Sequence, residues 1–190
     1  MYETGADPYC YPGTSVLKNL RDLKSQAKLR TYERVMTSQR VEEPLPPGNL
    51  AVSHYYAIHR HIFQDVYRWA GKPRTVRITK GTSTFCYPEN IAREMTRLFG
   101  SLRHSEFFSG LMRNEFAIHA AHFLADLNAI HPFRDGNGRV QLIFLTLIAE
   151  RAGYSFRHSK LKKREFNEAM ISSFAGDESQ LMSQILQLTD

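Results

Sequence analysis

Pro132 stands between two segments that each read as a long helix, and it forces a break that the rest of the chain has to accommodate. Upstream, from Asn114 to Ile130, the residues Phe116, Ala120, Phe123, Leu127 and Ile130 recur at helical spacing and face inward. Downstream, from Gly138, the residues Val140, Leu142, Ile143, Phe144, Leu145, Leu147, Ile148 and Ala149 are apolar almost all round, the pattern of a central helix covered by neighbours on every side. A residue before proline is pushed out of the α region, and the proline ring cannot continue the ladder, so the first helix has to end at His131.

The remaining sequence supplies what those two helices pack against. Leu17, Leu20, Leu23, Ala27, Val35 and Met36 predict one amphipathic arm helix, followed by the linker Pro44-Leu45-Pro46-Pro47-Gly48. Asn49 to Trp69 predicts a second helix, stopped by Gly71-Lys72-Pro73. Val76 and Ile78 then alternate with Arg77 and Thr79, Gly81 offers a turn, and Phe85 and Tyr87 follow, which predicts a small β-hairpin over about 75 to 88. Further helices are expected from Pro88 to about Gly100, near Lys162 to Phe174, and from Glu178 to Leu188. The expected fold class is therefore all-α, mainly helical, with one hairpin: residues 1–48 form a helical arm and Pro-rich linker, and 49–190 form the core.

Composition narrows the function classes. With 42% hydrophobic and 23% charged residues the 190-residue chain has the apolar content of a folded domain. The formal charge of +6 favours an anionic partner, but the basic residues are scattered; the one dense run, Lys160, Lys162, Lys163 and Arg164, reads as a solvated helix start. Tyr55, Tyr56, Trp69, Phe107 and Phe108 sit at spacings that suit packing better than base stacking, so no nucleic-acid role is expected. Cys10 and Cys86 lack metal-ligand spacing and read as free thiols of a reducing compartment, and nothing resembles a signal peptide or a membrane span.

The chemistry concentrates in His131-Pro132-Phe133-Arg134-Asp135-Gly136-Asn137-Gly138-Arg139. Gly136 and Gly138 permit a tight turn and close backbone approach to a ligand, and the N–H groups opening the next helix make an anion nest. Arg139 adds a permanently charged fork and Arg134 offers another, which points to phosphate. Asp135 beside such a site suits Mg²⁺, held by one carboxylate, phosphate oxygens and water. His131 has the pKa range of a base that takes a proton from a hydroxyl. Taken alone, an Asp-Gly-Asn-Gly string is also an ordinary turn and His131 an ordinary helix end; it is the co-occurrence of these residue types at one helix start that argues for chemistry.

This run, HPFRDGNGR, resembles the Fic family signature HxFx[D/E]GNGRxxR, and the similarity extends through Ile58-His59, Asp65 to Lys72 with Arg74, and Leu127 to Ile130, covering roughly residues 50 to 188. The resemblance implies a Fic fold with a β-hairpin flap and a protein adenylyltransferase, which moves AMP from ATP onto a Ser, Thr or Tyr hydroxyl of another protein. It implies that His131 deprotonates the target hydroxyl, Asp135 holds Mg²⁺, Phe133 anchors the loop, and Gly136, Asn137, Gly138 and Arg139 bind the phosphates. Lys80 and Gly81, in the flap, lie near the nucleotide, and Asn167 is assigned to the adenine side. The flap is expected to receive the target by strand addition, with Arg74, Arg77 and Lys80 favouring an acidic partner.

The likeness breaks at one position, where Leu142 replaces the second arginine of the signature. Two alternatives therefore stay open beside adenylylation: a nucleotide-binding or interaction module with little catalysis, and transfer of another phosphate-containing group. The family's inhibitory motif [S/T]xxxE[G/N] has no clean copy, since Ser38 to Glu43 ends in Glu43 and runs into Pro44, so a separate small antitoxin is expected. Resemblance to bacterial toxins and type IV secreted effectors implies a bacterial cytoplasm, or a host cytosol after secretion. Outside the loop, His119, His122 and Asp126 share a helix face as a weaker metal candidate, but His119 stands about 18 Å from His131 at helical rise.

Overall fold

The computed structural model describes residues 7–80 and 83–190. Among these, seven α-helices form: α1 (Gln26–Glu42), α2 (Val52–Phe63), α3 (Ile91–His104), α4 (Arg113–Ile130), α5 (Asn137–Arg151), α6 (Lys163–Phe174) and α7 (Ser179–Leu188). Two two-residue strands, β1 (Thr79–Lys80) and β2 (Ser83–Thr84), pair antiparallel with Thr79 opposite Thr84 and Lys80 opposite Ser83. The chain divides into two compact units, the first made of the residues through Glu89 together with Pro132–Gly136, the second of Asn90–His131 and Asn137–Asp190.

In the second unit α4 is the central element, packed by α3, α5, α6 and α7. Four alanines, Ala117, Ala120, Ala121 and Ala125, are buried on it beside Phe116, Phe123, Leu124, Leu127 and Ile130, so neighbouring backbones approach closely between large side chains. The helix stops where the proline requires: His131 takes the left-handed conformation (φ 49°, ψ 62°) while its N–H still donates to the Leu127 carbonyl at 3.0 Å. In α5, Val140, Phe144, Leu145, Ile148 and Ala149 are buried.

Three expected elements differ in extent. The arm helix begins at Gln26 rather than near Leu17, because the Asn19 side chain satisfies the preceding backbone itself. Its amide donates to the Leu17 and Leu23 carbonyls (3.0 and 2.8 Å) and its oxygen accepts from the Arg21 and Leu23 N–H groups (3.2 and 2.9 Å), a local competitor to the helical ladder. The second helix ends at Phe63, and tight turns carry Val66 to Lys72 back so that Tyr67 and Trp69 stack at 4.4 Å between centroids, with Trp69 5.9 Å from the His59 ring. The aromatic spacing that read as a continuing helix is met by a chain folding back on its own last turns.

The hairpin expected over about 75 to 88 is cut down to β1 and β2, extended by the Phe85 N–H donating to the Ile78 carbonyl at 3.2 Å. Beyond that, the Val76 and Cys86 carbonyls both accept from the Arg74 guanidinium (2.6 Å each), so a side chain bridges the two arms there.

Residues offered as alternatives to the loop chemistry fall into structural roles. His122 Nδ1 lies 3.1 Å from Glu178, Asp126 accepts from Arg97 at 3.3 Å, and the His119 ring stacks on Phe108. No group of three metal-capable side chains forms among the described residues. Tyr55 and Phe108 are core residues, Lys162 and Arg164 pair with Glu165 and Glu168 on α6, and Cys10 and Cys86 are free thiols. No described helix is long and apolar enough to cross a membrane.

In the first unit α1 packs on α2, and its far end is fastened by Arg40, which donates from Nε and Nη2 to the Asp65 carboxylate at 2.6 and 3.0 Å. That hydrogen bonding holds the Asp65 carboxyl below its ordinary range. Because the folded pKa is depressed, the pair's stabilisation is complete above the unfolded value of about 4 and is lost as pH falls through the folded value. Acid titration of the melting temperature should therefore show a limb below about pH 4 that is shallower in Asp65→Asn, which is already destabilised at neutral pH; an identical limb in both proteins would remove Asp65 from the acid response.

Candidate active site

The nine-residue loop alternates residues turned into protein with residues turned to solvent. Pro132, Phe133, Arg134, Gly136 and Asn137 are buried, whereas Asp135, Gly138 and Arg139 are exposed and His131 is half-buried. Anchors thus alternate with chemistry, and each anchor has an identifiable reason.

Phe133 is completely buried, with the Tyr55 ring stacked at 5.5 Å, Tyr56 edge-on at 5.5 Å and the His59 ring stacked at 3.7 Å between centroids. His59 does more than stack. The Gly71 N–H donates to its Nδ1 at 2.8 Å, so Nε2 carries the proton and donates to the Asp135 carbonyl at 3.0 Å. One buried imidazole therefore fixes the loop backbone at the residue whose carboxylate stays in solvent. The next residue, Gly136, has φ +82°, and a Cβ there would overlap the Phe63 ring, so only glycine serves.

Arg134 corrects one expectation. Its side chain is 3% exposed and turned to the N-terminal segment, donating from Nε and Nη2 to Asp7 at 2.9 and 2.6 Å, with Nη2 3.8 Å from the Cys10 sulfur. A guanidinium committed to a buried carboxylate is an anchor and not a phosphate ligand. Arg74 corrects another: at 2% exposure it offers no charge to an acidic partner, while Arg77 is exposed but donates to the Tyr87 hydroxyl at 2.6 Å and lies over its ring. Of the two flap residues assigned to the nucleotide, Lys80 lies in β1 and Gly81 outside the described residues. Asn167 is exposed on α6, one turn before Met170, whose carbonyl accepts from Asn128 of α4.

The residues left facing solvent form a consistent electrostatic set. The first turn of α5 has no acidic side chain and carries Arg139, the reverse of the usual complement to a helix dipole. The positive end of the helix and an exposed guanidinium coincide, an arrangement that favours an anion. At Gly138 a Cβ would meet nothing within 4 Å, so the approach to those N–H groups is open. Asp135, immediately before the helix, uses Oδ1 to accept from the Gly136 N–H at 2.6 Å; among the described residues it belongs to no group of three metal-capable side chains, and a single solvent-facing carboxylate fits a divalent ion whose remaining ligands are phosphate oxygens and water. Sequence reasoning missed Asp7, which pairs with a residue 127 positions away and carries no local signal, and it recorded His59 and Arg74 without seeing that both are buried hydrogen-bonding hubs.

Comparison with known proteins agrees with this geometry. Residues 49–149 match the Fic/DOC family. The chain is 48% identical over 188 residues to a probable protein adenylyltransferase, y4lH, of Sinorhizobium fredii, covering 98% of each. It is 36% identical to the protein adenylyltransferase VbhT of Bartonella schoenbuchensis, spanning 98% of this chain and 39% of that protein. Among solved structures, the BepC protein of Bartonella tribocorum, a VirB-translocated effector with bound AMPPNP, superposes with a TM-score of 0.85 at 26% identity, covering 96% of both chains.

The two loop glycines should separate experimentally. Gly136→Ala, strained in φ and obstructed by Phe63, should lose on the order of 2–4 kcal/mol of stability, whereas Gly138→Ala, helical and unobstructed, should keep or gain up to about 1 kcal/mol. Urea unfolding of both variants checks this, and equal losses would show that the two glycines serve the same purpose.

Proposed function

The chain belongs to the Fic/DOC family, and from that footing we propose that it is a protein adenylyltransferase that moves AMP from ATP to a Ser, Thr or Tyr hydroxyl of another protein. The observation that carries the reading is the sorting of the loop, in which Phe133, Arg134 and Gly136 are buried as anchors while His131, Asp135, Gly138 and Arg139 stay accessible. A turn serving only to connect two helices has no need of that sorting. The relatives named adenylyltransferases and the nucleotide analogue bound in BepC support the substrate.

In this reading the N–H groups at Asn137 and Gly138 and the Arg139 guanidinium hold the phosphates of ATP and neutralise charge that develops at phosphorus, while Gly136 supplies the turn that brings the phosphates to them and keeps its own N–H on Asp135. The target hydroxyl oxygen attacks the α-phosphorus, a P–O bond to the target forms, the bond to pyrophosphate breaks, and the hydroxyl proton passes to His131. Asp135 is the residue that would hold Mg²⁺, which when bound neutralises phosphate charge. Lys80 and Gly81 contribute from the flap and Asn167 on the adenine side. Arg134 is omitted, since Asp7 already occupies it.

The strand edges of β1 and β2 would take the target segment by backbone pairing. A separate small inhibitor protein is the expected control, because the nearest inhibitory-like string, Ser38 to Glu42, is followed by Glu43 where the pattern has Gly or Asn, and then by Pro44. The likeness to VbhT and to a translocated effector supports a bacterial protein that acts in its own cytoplasm or in a host cell.

The deciding assay is transfer of label from ATP, with Mg²⁺, to proteins of a cell lysate, read by mass spectrometry as an AMP adduct. Adduct formation should fall about 10²-fold or more in His131→Ala with folding unchanged; wild type and variant equally silent would favour a binding module, and an adduct of different mass another transferred group. Leu142 is half-buried and brings no charge where the signature has arginine, so Leu142→Arg should lower the ATP concentration for half-maximal transfer by about tenfold or more, the worth of one charged hydrogen bond.

A further inference from the structure

Within the first unit a single buried residue touches both the motif loop and the flap. The Arg74 N–H donates to the Pro132 carbonyl at 2.8 Å, which ties its backbone to the residue immediately after His131. Its guanidinium then spans the flap, with Nη1 donating to the Val76 carbonyl and Nη2 to the Cys86 carbonyl, each at 2.6 Å. Val76 and Cys86 belong to opposite arms, and between them and the short ladder the Phe85 N–H donates to the Ile78 carbonyl. Beyond the ladder, the rigid fork of one arginine bridges the two arms.

The cost of that placement argues for a purpose. Arg74 is 2% exposed, and burial lowers its pKa, the mark of a cation removed from water. A hairpin of ordinary length would hold its arms by backbone bonds without burying a charge. A flap reduced to two residues per strand cannot, because so short a pair is marginal in water. Arg77, bonded across the arms to the Tyr87 hydroxyl on the exposed side, braces the same base a second time.

We propose that Arg74 is the positioning residue of the flap: through its backbone it takes its place from the motif loop, and through its guanidinium it fixes the spacing and register of the two arms that receive the target segment. It touches neither nucleotide nor target, and its effect falls on target binding rather than on phosphate binding. The target-binding part rests on the adenylyltransferase reading; the clamp itself does not.

Arg74→Lys keeps the charge but replaces a fork with a single point, and Arg74→Met removes the charge. In Arg74→Lys, hydrogen exchange of the amides in residues 76–86 should accelerate about tenfold or more, as for loss of one charged hydrogen bond, while α4 and α5 keep their protection. AMPPNP affinity measured by calorimetry should hold within about twofold, and KM for a protein target should rise about tenfold with kcat little changed. Uniform acceleration throughout the chain, unchanged exchange in 76–86, or a parallel loss of AMPPNP affinity would each overturn the proposal. The wild-type protein supplies a test free of folding effects: the Arg74 Nη protons should give resolved, slowly exchanging NMR signals coupled to the Val76 and Cys86 carbonyl carbons, and averaged signals would contradict the clamp even if both variants fail to fold. If the wild type transfers no AMP at all, the function proposed above fails while exchange and NMR still decide the role of Arg74.

Discussion

A loop that presents polar atoms to a ligand needs to be held by atoms that do not. Here the holding rests on the contact between Phe133 and His59, two rings 3.7 Å apart at centroid in a fully buried site. Burial of a phenylalanine side chain contributes about 1.5–3 kcal/mol, enough to pin one point of a short loop. The imidazole adds direction: with Nδ1 accepting from Gly71 and Nε2 donating to the Asp135 carbonyl, it sets the orientation of the peptide next to the exposed carboxylate. Removing His59 would leave the Gly71 N–H and the Asp135 carbonyl, both partly buried in these bonds, without that partner, so the arrangement is costly to lose as well as favourable to form.

The same logic explains why a motif rich in charged residues uses them so differently. Arg134 and Arg139 are five positions apart, yet one is buried against Asp7 and the other stands in solvent at the start of α5. A nearly buried ion pair adds little net stability over an apolar packing, but breaking it leaves a charge stranded, which makes it a specific fastener for the N-terminal segment. Cys10 reports the same enclosure, its thiol pKa raised first by burial and then by Asp7. Charge near a catalytic loop is thus not evidence of ligand contact until its partner is known.

What the sequence revealed and what it withheld divide along physical lines. The end of α4 at His131 was legible because a proline acts on its own neighbour and needs no tertiary help. The start of α5 and the inward face of α4 were legible from apolar period, but the expectation that the helix after the loop is the central one was not met: α4 takes that place, and Leu142, Ile143 and Leu147 of α5 are only half-buried. The late start of α1 was not, since it turns on Asn19 making four local bonds in competition with a helix that the leucine spacing favours. The short flap was hidden for a related reason: alternation of side chains marks strand conformation, but the bonds that close the arms come from a buried arginine whose place only the fold defines. Arg134 misled because its partner Asp7 is distant in sequence, and long-range pairing leaves no periodic trace.

Leu142 is the residue through which these points bear on the chemistry. It follows Gly138 by four positions and so shares its side of α5, where the helix start presents backbone N–H groups and Arg139. A guanidinium there would add charge one turn along the helix, whereas in the proposed mechanism the phosphates also meet the N–H groups of Asn137 and Gly138, next to the backbone that His59 holds at Asp135. In the proposed mechanism, losing one charged contact of about 1.5–3 kcal/mol weakens the hold on a phosphate but removes neither the base assigned to His131 nor the amides assigned to the phosphates. On that proposal, substitution at Leu142 bears on how tightly and in what orientation the nucleotide is held, while the capacity for transfer depends on groups that Leu142 does not supply.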